Sequence, residues 1–189
     1  MIFDLPTKLD IRGTEFDVRY DYRVILEIFS ALNDPELTES DKLLAVLVMF
    51  YPQFDDLPYE DYQEAIDKCF WFINCGEEEE SKKAPKLVDW EQDFKYIVAP
   101  INRVYGTDIR SVQYDKNANS GGLHWWTFMS CYYEIGDCLF AQIVRIRNAK
   151  AKGKPLDKTD RDWYRQNRNL VDFKTKYSSA EDEILKQWT

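Results

Sequence analysis

The chain has 189 residues, a formal net charge of −9, 44% hydrophobic and 15% aromatic residues, and only seven Gly and seven Pro. That composition excludes a wholly disordered chain, suits long helices, and fits one domain with a core of its own, or one domain with a loosely attached end. The negative sum excludes unassisted binding of nucleic acid by the chain as a whole.

The opening MIFDLPTKLD places acids where a signal peptide needs an unbroken apolar run, so a cytoplasmic protein is expected. Residues 8–18, KLDIRGTEFDV, alternate Leu9 and Ile11 with Phe16 and Val18 about Arg12-Gly13-Thr14. This is the pattern of a short hairpin whose glycine supplies the positive φ of a tight turn. Two strands alone are marginal in water, so the hairpin must dock on a helix or on another chain. Residues 21–32 bring Val24, Ile25, Ile28, Phe29 and Leu32 to helical spacing. Thr38 and Asp41 have the spacing of a capping box, with Asp in place of the usual Glu or Gln. They precede 42–51, KLLAVLVMFY, which is apolar nearly all round and predicts a buried helix stopped by Pro52. Pro58 suits a first helical turn, and Tyr62, Ala65, Ile66, Cys69, Phe70 and Ile73 mark a helical face ending at 74–76.

Residues 77–86 form a polar charge run without an apolar anchor, the composition of an exposed linker. Residues 88–105 return to helical spacing through Trp90, Phe94, Ile97, Val98, Ile101 and Val104, with a kink or a split expected at Pro100 and a stop at Gly106. Residues 107–122 read as a loop anchored by Ile109 and Val112. From 121 to 154 two adjacent apolar rows, one running Trp125, Phe128, Tyr132 to Ile146 and one Trp126, Met129, Tyr133 to Val144, predict a single long core helix, bent at Gly136. Glu134 and Asp137 in its middle exclude a membrane span, since one charge at a bilayer centre costs about 2.5–3.5 kcal/mol. After Gly153 and Pro155 the helical pattern restarts, with Thr159 or Asp160 as N-cap, and 178–188 predicts a last short helix or a frayed tail. The expected fold is mainly α, a multi-helix single domain over 1–189. It has a small N-terminal β-hairpin within 1–20, an exposed acidic linker at 77–86 and a loose tail at 177–189.

Catalytic signals are absent from the pattern. The only histidine, His124, stands beside Trp125 at a helix start, where capping or packing is the expected role. Cys69, Cys75, Cys131 and Cys138 lack the spacing of a zinc site and fall in apolar helical patterns, so buried free thiols are expected. There is no phosphate-binding glycine loop. No enzyme, cofactor or metal is expected. Charge is uneven, however: residues 139–176 carry eleven Lys or Arg against four acids. Arg145, Arg147, Lys150, Lys152 and Lys154 open that segment and are the candidate partner-binding residues. With Trp163, Tyr164, Phe173 and Tyr177 interleaved, 145–176 also admits a nucleic-acid-binding or regulatory role, although those aromatics fit a core equally well.

The order IRGTEFDVRYDYR (11–23), DWEQDFKYIVAPINRVYG (89–106), GGLHWWTFMSCYYEIGD (121–137) with IVRIR (143–147), and DRDWYRQNR (160–168) resembles a family of tailed-phage proteins and their prophage relatives. Members are encoded by siphophages of Gram-positive bacteria between the major tail protein and the tape measure. The resemblance spans residues 10–172, and LHWWTF with IVRIR is its most specific part. It implies a non-catalytic tail assembly chaperone, possessing no catalytic residue to carry over. Such a protein associates with the tape measure protein and the major tail protein in the host bacterial cytoplasm and is absent from the mature virion; apart from the resemblance, stoichiometric binding of this kind also admits a homo-oligomer. Exposed apolar grooves would shield a helix-rich partner, with Met49, Met129 and aromatics as candidate lining, although each of these fits an ordinary core equally well, and the negative charge would keep the complex soluble.

Overall fold

A computed structural model describes residues 4–78 and 84–187. Its elements in chain order are strands β1 (Lys8–Ile11) and β2 (Thr14–Asp17), then helices α1 (Tyr22–Leu32), α2 (Glu39–Phe50), α3 (Tyr62–Ile73) and α4 (Trp90–Tyr105). Two-residue strands β3 (Tyr114–Asp115) and β4 (Ser120–Gly121) follow, then helices α5 (Trp125–Tyr133), α6 (Leu139–Ala151), α7 (Lys158–Gln166), α8 (Arg168–Val171) and α9 (Ser179–Gln187). The fold is mainly α with a small N-terminal hairpin, as the periodicities require. Backbone contacts group the chain into two compact units, one of residues 1–80, 110–130 and 176–189, the other of 81–109 and 131–175.

In the first unit, Arg12 (φ 48°) and Gly13 (φ 85°) both adopt the left-handed conformation of a two-residue hairpin turn, pairing Leu9 with Phe16 and Ile11 with Thr14. Leu9, Ile11 and Phe16 are thereby buried together. The hairpin docks on α3, where the Arg12 backbone N–H donates to Glu64 and its guanidinium pairs with Asp61 at 3.1 Å. Asp21 caps α1, and Thr38 with Asp41 forms the reciprocal capping box of α2. Val24, Ile25 and Ile28 of α1, Val46, Leu47 and Phe50 of α2, and Ala65, Cys69 and Phe72 of α3 make the core, closed by Tyr22, Trp125 and Phe128. The Tyr22 ring stacks on Phe128 at 4.9 Å. Each such fully buried Val, Leu, Ile or Phe contributes roughly 1.5–3 kcal/mol.

In the second unit, Asp89 caps α4 by accepting from the Gln92 N–H, and Gly106 ends the helix at φ 91°. Ile97, Val98 and Ile101 of α4 are buried with Phe140, Ile143 and Ile146 of α6, and Val171 of α8 is buried as well. Trp90 meets Tyr132, and Tyr132 meets Phe140, by tilted ring contacts.

Several local expectations are corrected. The single helix expected over 121–154 is two helices, because Gly136 turns to φ 61° and Cys138 starts α6 with its Sγ accepting from the Ala141 N–H. Arg103 holds the intervening strand of chain by donating to the Ile135 carbonyl. Cys138 and Cys75 (φ 57°, just beyond α3) therefore lie outside helices, and both are only partly buried. Helix α2 is not buried all round: Leu43, Leu44 and Val48 are exposed, since only one side of it is covered. Helix α4 continues unsplit through Pro100, which is buried. Residues 107–122 hold a 3-10 turn (Ile109–Ser111) and the β3–β4 ladder rather than plain loop. The N-cap of α7 is Asp157, not Thr159 or Asp160, and α7 stops at Asn167 before α8. Glu77, Glu78, Ala84, Pro85 and Lys86 of the expected linker are exposed, while 79–83 lie outside the described residues, as do 1–3 of the hairpin segment and 188–189 of the tail. No helix among the described residues is long and apolar enough to cross a membrane.

Candidate docking surface

The basic segment is distributed differently from its sequence pattern. Arg147 is buried: Nη1 donates to Asp93 Oδ2 at 2.5 Å, Nη2 to Asp93 Oδ1 at 3.0 Å, and Nε to the Val171 carbonyl at 2.6 Å. Its guanidinium also stacks over Phe173 at 4.1 Å. The expectation of a solvent-facing Arg147 is thus corrected, because a planar fork with this many fixed acceptors is satisfied inside the fold. Arg145 pairs with Asp160 at 2.6 Å, linking α6 to α7. Lys150 meets Asp172 and the Tyr164 hydroxyl. Burial works against the Lys150 ammonium, but the hydrogen bonds it donates to Asp172 and Tyr164 outweigh it and raise its pKa. Lys152 and Lys154 are exposed.

His124 has both ring nitrogens committed. Nδ1 accepts from the Trp126 backbone N–H at 3.0 Å, capping α5, so the neutral ring carries its proton on Nε2 and donates it to the Pro6 carbonyl at 2.9 Å. Tyr20 stacks on the ring at 5.4 Å. Burial lowers the His124 pKa, against the opposing effect of the Pro6 carbonyl. All four cysteines are free thiols. Burial pushes the Cys69 thiol up, and burial with the nearby Glu77 pushes Cys75 up to about 11. No group of three or more His, Cys, Asp or Glu side chains suited to a metal ion occurs among the described residues.

Two clefts in the first unit offer contact surface instead. One, of about 690 Å³, is lined by Pro6, Lys8, Trp71, Cys75, Gly76 and Trp126 together with Asp4. A Cβ on Gly76 would come within 3.1 Å of Trp126 and 3.3 Å of Trp71, so glycine is what lets both indoles close over this turn. The Trp126 indole N–H is already committed to the Phe72 carbonyl at 2.8 Å.

The other, of about 560 Å³, runs between α2 and α3 and is lined by Leu43, Leu44, Leu47, Tyr59, Tyr62 and Ile66, with Ser40, Glu60 and Gln63 at its edges. Leu43 is 39% exposed, Leu44 and Val48 45%, and Tyr59 83%. On a helix these α2 positions share one side, so the exposure forms a stripe rather than scattered residues. Exposed apolar stripes of this kind mark interaction surfaces. Around it the chain is strongly acidic: residues 34–67 contain ten Asp or Glu and one Lys. Glu39, Asp41, Asp55, Asp56, Glu60 and Asp67 of that set are exposed. Sequence reading passed over this surface. Its signal was the excess of apolar positions in 42–51, more than one buried face can use, between acid-rich flanks.

A family model described as "Bacteriophage Gp15 protein" matches residues 2–173. No curated protein and no solved structure matches the chain.

Proposed function

The chain belongs to the bacteriophage Gp15 protein family, and we propose that it is a tail assembly chaperone that binds the tape measure protein and the major tail protein in the host cytoplasm and leaves before the virion is complete. The observation that carries this reading is the uncovered stripe of Leu43, Leu44 and Val48 beside Tyr59. Such a surface supports stoichiometric protein binding, and the resemblance of 10–172 to proteins encoded beside the tape measure supports the choice of partners. The net charge of −9 favours solubility of a complex with an aggregation-prone chain.

Coexpression with the tape measure and major tail proteins, followed by affinity purification, should recover a complex, and a phage lacking the gene should make no normal tails. Absence of any complex together with normal tails would overturn the reading. Nucleic-acid binding through 145–176 draws less support, since Arg147 is internal and Arg145 and Lys150 are paired with carboxylates. A salt-dependent gel shift at low ionic strength would favour it.

A further inference from the structure

We infer that the groove between α2 and α3 is a docking site for a cationic amphipathic α-helix. Three observations converge on that occupant. First, the floor is a row of aliphatic and aromatic side chains, Leu43, Leu44, Leu47, Tyr62 and Ile66, with Tyr59 as an outstanding wall. It lies between two helices of 12 residues each, about 18 Å long at 1.5 Å per residue. That length receives three turns of a partner helix, which presents apolar anchors at positions i, i+3 or i+4, and i+7.

Second, the polar edge is of one sign. Glu60 lines the groove, and the segment carrying it holds ten acids to one Lys, whose single ammonium is already paired with Glu39 at 2.8 Å. A helix with Lys or Arg flanking its apolar stripe complements that edge, whereas an acidic or neutral helix leaves the like charges unrelieved. Third, Glu60 at the groove's edge and the exposed Asp55 and Asp56 of the preceding turn enter no ion pair among the described residues, unlike Asp61 and Glu64, which hold Arg12.

The inference rests on the reading of this chain as a stoichiometric protein binder, but not on which phage protein it binds. It is tested with defined peptides rather than phage proteins, so its failure is distinguishable from failure of the coexpression experiment. Three labelled 18-residue peptides serve as probes: Leu at i, i+3, i+4 and i+7 with Lys elsewhere, the same Leu pattern with Glu elsewhere, and the Lys pattern with Ser in place of Leu. By fluorescence anisotropy against the full chain, the Lys–Leu peptide is expected to bind at least tenfold more tightly than either of the others. Leu43→Ser combined with Leu44→Ser should weaken it at least tenfold without lowering the thermal midpoint, because both side chains line the groove and already face solvent. Glu60→Lys combined with Asp56→Lys should erase the preference for Lys–Leu over Glu–Leu. Equal binding of the three peptides, or affinity indifferent to Leu43→Ser and Leu44→Ser, would overturn the inference. So would a dimer in sedimentation that the same substitutions dissociate, since the groove would then belong to a second copy.

Discussion

Arg147 and Asp93 meet end to end out of water, with their side chains 3% and 0% exposed and both nitrogens of the fork engaged. Asp93 also accepts the Asp89 backbone N–H at 2.9 Å, completing the cap of α4, while Arg147 adds donations to the Leu87, Leu170 and Val171 carbonyls. One ion pair therefore joins the start of α4, α6 and α8. Removing one member strands a buried charge, so Arg147→Ala should lower stability by about 3–5 kcal/mol in urea unfolding. Arg147→Lys should recover only part, because an ammonium cannot reproduce the fork. Arg147→Met with Asp93→Leu should be less damaging than Arg147→Met alone. A loss from Arg147→Ala below about 1 kcal/mol, the level of an exposed pair, would contradict this account.

Gly122 is a second point where one side chain decides the packing. Its φ is 82°, and a Cβ there would fall 2.3 Å from Asp21 Oδ2 and 2.9 Å from the Tyr114 ring. Asp21 is fully buried and accepts from the Leu123 N–H at 2.8 Å and from Arg23, so it has no free direction in which to move. Left-handed backbone alone costs a residue with a Cβ roughly 1–2 kcal/mol. Gly136 has a φ of 61° but nothing within 4 Å of where a Cβ would stand, so Gly136→Ala should incur only that backbone cost. Gly122→Ala should incur it together with the displacement of Asp21. Thermal melts should show the larger drop for Gly122→Ala, and equal drops would remove the argument from contact.

His124 confers a pH dependence that can be isolated, because it is the only histidine. Its pKa is lowered in the folded chain, chiefly by burial, and protonating Nδ1 would also end its acceptance from the Trp126 N–H. The unfolded chain thus takes up a proton at higher pH than the folded one. Stability should be full above the unfolded value, about 6.5, and fall as pH drops from there through the lowered folded value. His124→Gln should flatten stability between pH 7 and pH 5 relative to the unsubstituted chain, at the cost of the Tyr20 stack. An NMR titration of the lone imidazole with a midpoint above 6.5 would contradict the sign.

Much of the local structure was legible without the fold. The hairpin turn at Arg12-Gly13, the capping box of Thr38 and Asp41, the Gly106 stop and the capping or packing place of His124 all follow from residues within a few positions of each other. Where local signals competed, reading failed. The apolar rows through Trp125 and Ile143 are continuous across 134–138, yet Gly136 and the Cys138 cap divide them. The apolar run 42–51 similarly announced hydrophobicity without saying how many of its sides would find cover.

The candidate surfaces show the same limit. The amino-acid sequence by itself determined the helical class, most helix faces, the acidic and basic segments and the kinship with phage proteins, because periodicity, caps, charge counts and short motifs are properties of neighbouring residues. Only the tertiary structure decided that Arg147 lies inside, 54 residues from the Asp93 that satisfies it, while Leu44 and Val48 remain in water. Burial is set by partners distant along the chain, so a basic pattern became an internal link and a core-like pattern became the exposed groove.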